Sequence, residues 1–134
     1  MTKDTMLGAE DNSFSTDSEG LKDVVVHYRG EETTNPEFYG GARLQWTIAG
    51  GKIRIQTVRY GITRKNVEGG NKANVIVYFN GTKYWEIDKA RQDGQWHEWI
   101  NWTEMPYSGS LKVEVEFIFD KPGNDPRRSA VFTI

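Results

Sequence analysis

Strict alternation of apolar and polar residues is the feature that most limits how this chain can fold. The clearest case runs from Leu111 to Phe119, where apolar residues occupy every second place and lysine, glutamate or isoleucine lies between them. Because successive side chains of a β-strand point to opposite faces, this pattern predicts a strand with one buried and one wet face. A helix would need apolar residues every three or four positions, and no long segment shows that spacing.

The same alternation recurs around pairs of turn-forming residues. Alternating segments at 43–48 and 52–56 flank Gly50-Gly51, which predicts a hairpin. A second tight turn is predicted at Asn80-Gly81, because a type I′ turn requires positive φ at both central residues. Beyond position 57 the apolar phase slips by one residue, which is typical of a β-bulge.

About eight strands follow from these patterns, at the spacing that favours a sandwich or barrel. Residues 73–79 are apolar on both faces and predict a central strand, while residues 131–134 predict a closing one. We therefore expect an all-β domain over residues 21–134, folded as an antiparallel two-sheet sandwich of jelly-roll or Ig-like type.

Residues 1–20 are polar and unpatterned, which predicts a disordered leader. Its first part, MTKDTMLGAEDNSF, reads like a vector-derived start joined to a mature N-terminus, so we expect that a signal peptide has been removed. Five acids against one lysine give the leader a net charge of −4. The whole chain has a net charge of −2, so residues 21–134 have a net charge of +2. That surplus is too small to predict nucleic-acid binding.

Several classes of site and segment are excluded or disfavoured by composition. The chain has no cysteine, which excludes disulfides and thiolate metal sites, and no motif predicts a cofactor. No stretch approaches the roughly 20 apolar residues of a membrane-spanning helix. Asp120, Asn124 and Asp125 could offer oxygens to Ca²⁺, but they lack EF-hand spacing and favour a solvated turn.

Aromatic side chains are the first candidates for a binding site. Residues two apart on a strand share a face, so Trp96 and Trp102 are predicted to lie together with Trp99 facing the other way. Since at most one face points into the core, some rings are predicted at the surface, where they could stack on sugar. The alternative is that the whole set packs between the sheets. The candidates are Tyr84, Trp85, Trp96, Trp99 and Trp102.

A run of basic residues without an acid is the second candidate. It suits an anionic partner such as a cell-wall polymer, an acidic polysaccharide or lipid headgroups. The alternative is a charged outer face that prevents an edge strand from pairing with neighbours. The run comprises Lys52, Arg54, Arg59, Arg64 and Lys65, and Arg127 and Arg128 elsewhere in the chain would extend it into a basic stripe.

Catalytic groups form no recognisable motif. A glycosidase would need two carboxyls about 5–9.5 Å apart, and the acids near the rings are Glu86, Asp88, Glu98 and Glu104. Charged residues on the wet face of a sheet are the alternative. His27 and His97 could join Ser108 in a triad or an acid in a metal site, but no G-x-S-x-G elbow is present.

Turn glycines and strand patterns occur in a characteristic order, in the segments GGARLQW at 40–46, Gly50-Gly51, ANVIVY at 73–78, GQWHEW at 94–99 and LKVEV at 111–115. This order is similar to that of a group of small secreted β-sandwich proteins of Gram-positive bacteria, bacilli and streptomycetes among them. The resemblance spans residues 39–117 and implies secretion and a non-enzymatic character. A cysteine pair found in members of that group is missing here, and the resemblance assigns no functional residue.

Together these features predict a secreted, non-catalytic module that binds carbohydrate or a cell-envelope polymer. The residues expected to carry binding are the five rings with Arg54, Arg59 and Arg64. A secreted effector that is antimicrobial or membrane-active is the second hypothesis, and a small secreted hydrolase is the third. The solvent exposure of the tryptophans distinguishes the binding-module hypothesis from the alternative that these rings only pack between the sheets.

Overall fold

The computed structural model describes residues 17–30, 37–65 and 70–134, which form two antiparallel sheets and contain no helix. The strands are β1 (Ser18–Tyr28), β2 (Phe38–Ala49), β3 (Lys52–Arg64), β4 (Ala73–Phe79), β5 (Thr82–Ala90), β6 (Trp96–Glu98), β7 (Trp102–Pro106), β8 (Lys112–Ile118) and β9 (Arg127–Thr133). The all-β, two-sheet prediction is confirmed. The described residues hold nine strands rather than eight, because the tryptophan-rich segment divides into β6 and β7.

The strands divide between a four-stranded and a five-stranded sheet. The four-stranded sheet has the order β9-β8-β4-β5, so β4 is a central strand as its sequence indicates. In the five-stranded sheet β1, β2 and β3 follow one another, and β6 and β7 share the remaining edge of β3. The chain therefore crosses between the sheets after β3, β5 and β7.

The core fills the space between the two sheets. The inward residues of β8, Val113, Val115 and Phe117, are fully buried, which confirms the alternation read from the sequence. Phe119 continues this row and stacks on Phe38 of β2 at 4.9 Å, joining one sheet to the other. Burial of such side chains contributes about 1.5–3 kcal/mol each and is the main force that holds the sheets together.

Both predicted tight turns are present. Gly50 and Gly51 have φ of 61° and 75°, and Asn80 and Gly81 have φ of 50° and 83°. Positive φ at both central residues gives the twist that suits a two-residue hairpin.

The predicted phase slip is a bulge in β3. Arg43 of β2 pairs with Arg59, but the next residue, Leu44, pairs with Thr57, which leaves Val58 as the extra residue. Because of this extra residue, side chains on both sides of the bulge can face the core. Thr57 before it and Tyr60 after it are both buried.

Several strand boundaries differ from those predicted, and β9 begins at Arg127 rather than at residue 131. β1 begins at Ser18, inside the predicted leader 1–20, because it pairs with β2 along its whole length from the Ser18–Ile48 partners onward. The leader up to residue 16 lies outside the described residues. Gly40 and Gly41, which the sequence pattern predicts as turn glycines, lie inside β2.

Candidate functional site

The outer side of the five-stranded sheet carries two exposed tryptophans, and we call the outward side chains of β1, β2, β3, β6 and β7 the aromatic face. Trp96 and Trp102 lie on it with 55% and 56% of their surface exposed. Trp99 between them is only 8% exposed and meets the ring of Tyr60 edge-on at 6.1 Å. Trp96 and Trp102 are therefore exposed on one side and Trp99 is turned to the core, as strand parity indicates.

The bulged part of β3 holds this arrangement in place. The backbone N–H of Thr57 donates to the Asn101 carbonyl at 2.9 Å, and the Asn101 N–H donates to the Thr57 hydroxyl at 3.0 Å. The Trp99 N–H donates to the Val58 carbonyl at 2.9 Å. These bonds fix the link between β6 and β7, so the two exposed rings keep their positions relative to β3.

A row of four paired residues crosses the aromatic face beside Trp96. Val25, Gly41, Gly61 and Trp96 are successive partners on β1, β2, β3 and β6. A Cβ at Gly61 would lie 3.0 Å from Trp96 Cε3, and one at Gly41 would lie 3.1 Å from Trp96 Cη2. Glycine at both places therefore lets the edge of the indole approach the sheet.

A shallow groove opens over these glycines, and we call it the glycine groove. It measures about 220 Å³, and its walls include Val25, Tyr39 and Trp96, with Gly41 and Gly61 beneath. An apolar, ring-walled depression of this kind can take one face of a small ring-shaped group. Gly41 and Gly61 are not among the site residues predicted from the sequence, although glycine inside a strand pattern is a signal of close approach.

Each exposed tryptophan stacks with an arginine. The Arg59 guanidinium carbon lies 4.1 Å from the centre of the Trp96 ring, and that of Arg54 lies 4.1 Å from the Trp102 ring. Glu98 and Glu104 are the strand partners of these arginines. Within the described ranges, however, neither guanidinium forms an ion pair.

Two other basic residues on the aromatic face lie beside a carboxylate. Arg43 binds the Asp23 carboxylate through two bonds, of 2.8 and 3.0 Å, and the bond from Arg43 holds the pKa of Asp23 below its ordinary value. Lys52 approaches Glu104 at 3.9 Å. Arg54 and Arg59 thus differ from their neighbours in having a ring, rather than a carboxylate, as partner.

The remaining predicted rings lie elsewhere. Tyr84 and Trp85 belong to β5 of the four-stranded sheet, where they meet Phe79 edge-on at 4.8 and 5.3 Å. Trp85 packs against the core, as does Trp99. The grouping of all five rings as one candidate site is wrong, because β5 and β6 are successive in the chain but belong to different sheets.

The predicted basic run is also divided. Arg64 donates to the Gly70 carbonyl at 2.8 Å and lies on the opposite side of β3 from Arg59 because they are an odd number of positions apart. Arg127 and Arg128 belong to β9 of the other sheet, where Arg127 reaches Glu116 at 3.4 Å. Lys52, Arg54 and Arg59 remain on the aromatic face.

The four candidate carboxylates do not meet in one cleft. Glu86 and Asp88 are on the four-stranded sheet, where the Asn74 amide donates to both at 3.1 Å. Glu98 and Glu104 are on the aromatic face. Their strand partners on β3 are five residues apart, which corresponds to about 15 Å of strand. That separation exceeds the roughly 5–9.5 Å between the carboxyls of a glycosidase.

The histidines are separated in the same way. His97 is half-buried, with Nε2 at 2.9 Å from the Asp93 carboxylate and its ring stacked on Tyr60 at 5.3 Å. His27 is exposed on β1 beside Tyr39, whose ring centre is 6.2 Å away. The two-histidine metal site requires the two imidazoles to converge, but they lie on different strands and on different faces of the sheet.

The loop after β8 forms a hydrogen-bonded turn. The Asp120 carboxylate accepts from the Lys72 N–H at 3.1 Å, and the Asp125 carboxylate accepts from the Lys121 N–H at 3.2 Å. Across the described residues, no three histidine, aspartate or glutamate side chains are grouped to hold a metal ion.

The outer side of the four-stranded sheet is mainly polar, although Val131 is exposed there, and several of its polar side chains bond to one another. The Tyr78 hydroxyl donates to Glu116 at 2.8 Å, and this bond raises the pKa of Tyr78 to about 12 because ionisation would remove the donated proton. Lys83 pairs with Glu86 at 2.7 Å. The two outer faces therefore differ in kind, and the aromatic face is the better candidate for binding.

Comparison with known proteins finds no match to this chain among protein-family models, curated proteins or solved structures. The resemblance to secreted Gram-positive β-sandwich proteins accordingly stays a prediction. No helix in the described part of the chain has the length and apolar character needed to cross a membrane.

Proposed function

We propose that this protein is a secreted, non-catalytic binding module that holds a carbohydrate chain on its aromatic face. The observation that carries the proposal is the exposure of Trp96 and Trp102 on one side of one sheet. A flat indole can cover the apolar face of a sugar ring, and the arginine stacked on each indole restricts its rotation.

The shape of the surface supports carbohydrate over a wholly flat contact. The glycine groove lies beside Trp96, and Tyr39 forms another of its walls with 46% of its surface exposed. Trp102 lies further along β3, opposite Gln56, and pairing places it about 15 Å from Trp96. A chain of sugar rings could therefore contact both indoles at once.

Binding to a panel of cell-wall polysaccharides, measured by affinity gel and by glycan array, tests this function. We expect Trp96→Ala and Trp102→Ala each to weaken binding about fivefold or more, because each removes a stacking ring. Tyr84→Ala is the matched control, since Tyr84 is 41% exposed on the other sheet and should leave binding unchanged.

The buried Trp99 is unsuitable for this test, because its replacement would destabilise the fold whatever the ligand. Wild-type protein that binds no polymer of the panel at high concentration would contradict the proposal. So would Trp96→Ala and Trp102→Ala variants that bind as well as wild type.

A membrane-active or protein-binding effector is the second candidate, and one observation favours it. Leu21 and Val25 project from β1 onto the aromatic face and are 51% and 65% exposed. Apolar side chains in that position suit a lipid or protein surface more than a sugar. Leakage from vesicles, abolished by Val25→Ser but not by Trp102→Ala, would favour this candidate over carbohydrate.

A further inference from the structure

The two arginines Arg54 and Arg59 of the aromatic face are stacked on rings rather than ion-paired, and Asp23 acts on Arg59 only through space. Arg54 and Arg59 each stack on a tryptophan at 4.1 Å and form no ion pair within the described residues. Arg43 on the same face, by contrast, binds Asp23 through two bonds. A guanidinium that is held against a ring keeps its edge N–H groups for a partner from outside.

Arg59 also has a donor group without a partner. Its Nε is covered by protein and has no hydrogen-bond partner. A polar group that loses water without gaining a bond costs free energy, and such groups in native proteins require an explanation. An anion bound to the remaining N–H groups of Arg59 would leave Nε unpaired, but it would stabilise the charge of a guanidinium that is partly removed from water.

The acids on the same face limit how much negative charge a ligand can carry. Glu98 and Glu104 are the strand partners of Arg59 and Arg54, and Glu19 faces outward further along β1. A polymer with an anion on every unit would place like charges against these carboxylates. A polymer whose anions fall only at the arginines would avoid them.

We infer that the ligand is an acidic polysaccharide whose carboxylates are widely spaced along an otherwise neutral chain. Sugar rings lie on Trp96 and Trp102, and carboxylates about 15 Å apart pair with Arg59 and Arg54, following the five-position separation along β3. This inference rests on the proposed function and specifies its ligand class.

The test compares acidic polysaccharides with their carboxyl-reduced, neutral forms by isothermal titration calorimetry. The probes are glucuronoxylan, in which uronic acids are sparse, hyaluronan, in which they alternate, and polygalacturonate, in which every unit is acidic. We expect the sparse polymer to bind most tightly, and carboxyl reduction to weaken its binding about tenfold or more.

Variants that each remove one positive charge show which arginines are responsible for the preference for the acidic polymer. We expect Arg54→Gln and Arg59→Gln each to weaken binding of the acidic polymer roughly fivefold, and to remove most of the difference between it and its reduced form. Arg127→Gln on the other sheet is the matched control and should change neither value.

The outcomes separate the two proposals. Equal binding of the acidic and reduced forms, lost in Trp96→Ala, would overturn the inference and leave the carbohydrate function standing. Tighter binding of polygalacturonate, or equal binding to phosphatidylglycerol vesicles or a polyglycerol phosphate, would also overturn it. Binding of no probe and of no polysaccharide of the wider panel would overturn both.

Discussion

Two neighbouring glycines of β2 show how much a single side chain can decide in this protein. A Cβ at Gly40 would point into the core and lie 2.6 Å from the buried ring of Phe117. A Cβ at Gly41 would point outward, where the nearest atoms belong to Trp96. The first glycine therefore serves the packing of the sheets, and the second serves the candidate site.

We expect Gly41→Ala to displace the Trp96 indole and to weaken carbohydrate binding, because the added Cβ would lie 3.1 Å from Cη2 of that ring. Combined with Trp96→Ala, the same change should be neutral or stabilising by up to about 1 kcal/mol, since the ring is gone and alanine suits a strand better than glycine. Urea denaturation of the two single variants and the double variant measures this coupling.

Gly40→Ala gives the contrast. Its clash is with a rigid ring in the core, so it should destabilise by about 1–3 kcal/mol whether or not Trp96 is present. A Gly41→Ala cost that persists unchanged without the Trp96 ring would show that the glycine has some other role.

At the scale of elements, β3 organises the aromatic face. Its bulge lets one strand keep apolar residues inward on both sides of Val58 while Arg54 and Arg59, an odd number of positions apart, both face outward. In a regular strand these two arginines would lie on opposite sides of the sheet. The phase slip is visible in the sequence, but the placement of both arginines on one face follows from the register of β3 against β2.

We expect Thr57→Val to destabilise the protein by about 1–2 kcal/mol, because the isosteric change removes the acceptor of the Asn101 N–H in a fully buried position. Trp102, the next residue, should lose part of its fixed orientation, which tryptophan fluorescence would report. Thr47→Val on β2 is the control, because Thr47 is exposed and its replacement should change stability by less than about 0.5 kcal/mol. Equal effects of the two substitutions would show that the Thr57 hydroxyl is unimportant.

At the scale of the whole molecule, one buried glutamine joins three connecting segments that are far apart in the sequence. The Gln92 amide donates to the Gly70 carbonyl at 2.7 Å and to the Asp120 carbonyl at 3.0 Å, and its oxygen accepts from the Asp120 N–H at 2.9 Å. Gly70 follows β3, Gln92 follows β5 and Asp120 follows β8. One side chain therefore satisfies the backbone of two other loops.

We expect Gln92→Leu to destabilise the protein by about 3 kcal/mol, because leucine fills a similar volume but leaves the Asp120 N–H and carbonyl without their partner and removes one of the two donors to the Gly70 carbonyl. Hydrogen exchange should show loss of protection at the Asp120 amide together with a lower denaturation midpoint. Gln45→Leu, at an exposed position of β2, is the control and should have little effect on either measurement. Retained protection at Asp120 in Gln92→Leu would contradict this role.

The sequence by itself determined the local structure of this protein. Alternation from Leu111 to Phe119, the Gly50-Gly51 and Asn80-Gly81 turns, and the slip in β3 each depend on residues close together in the chain, and all are present. The opposite orientations of Trp96 and Trp99 also follow from local sequence, because the two residues are an odd number of positions apart in one short segment.

Only the tertiary structure decided which rings and charges share a surface. Trp85 and Trp96 are close in the sequence but lie in different sheets, whereas Val25 and Trp96 are far apart and lie in one row across the aromatic face. The physical reason is that strand pairing joins distant segments, and the side-chain period of two says nothing about which strand comes next. The stacking of Arg59 on Trp96 depends on that pairing, so the candidate site belongs to the sheet rather than to any one segment.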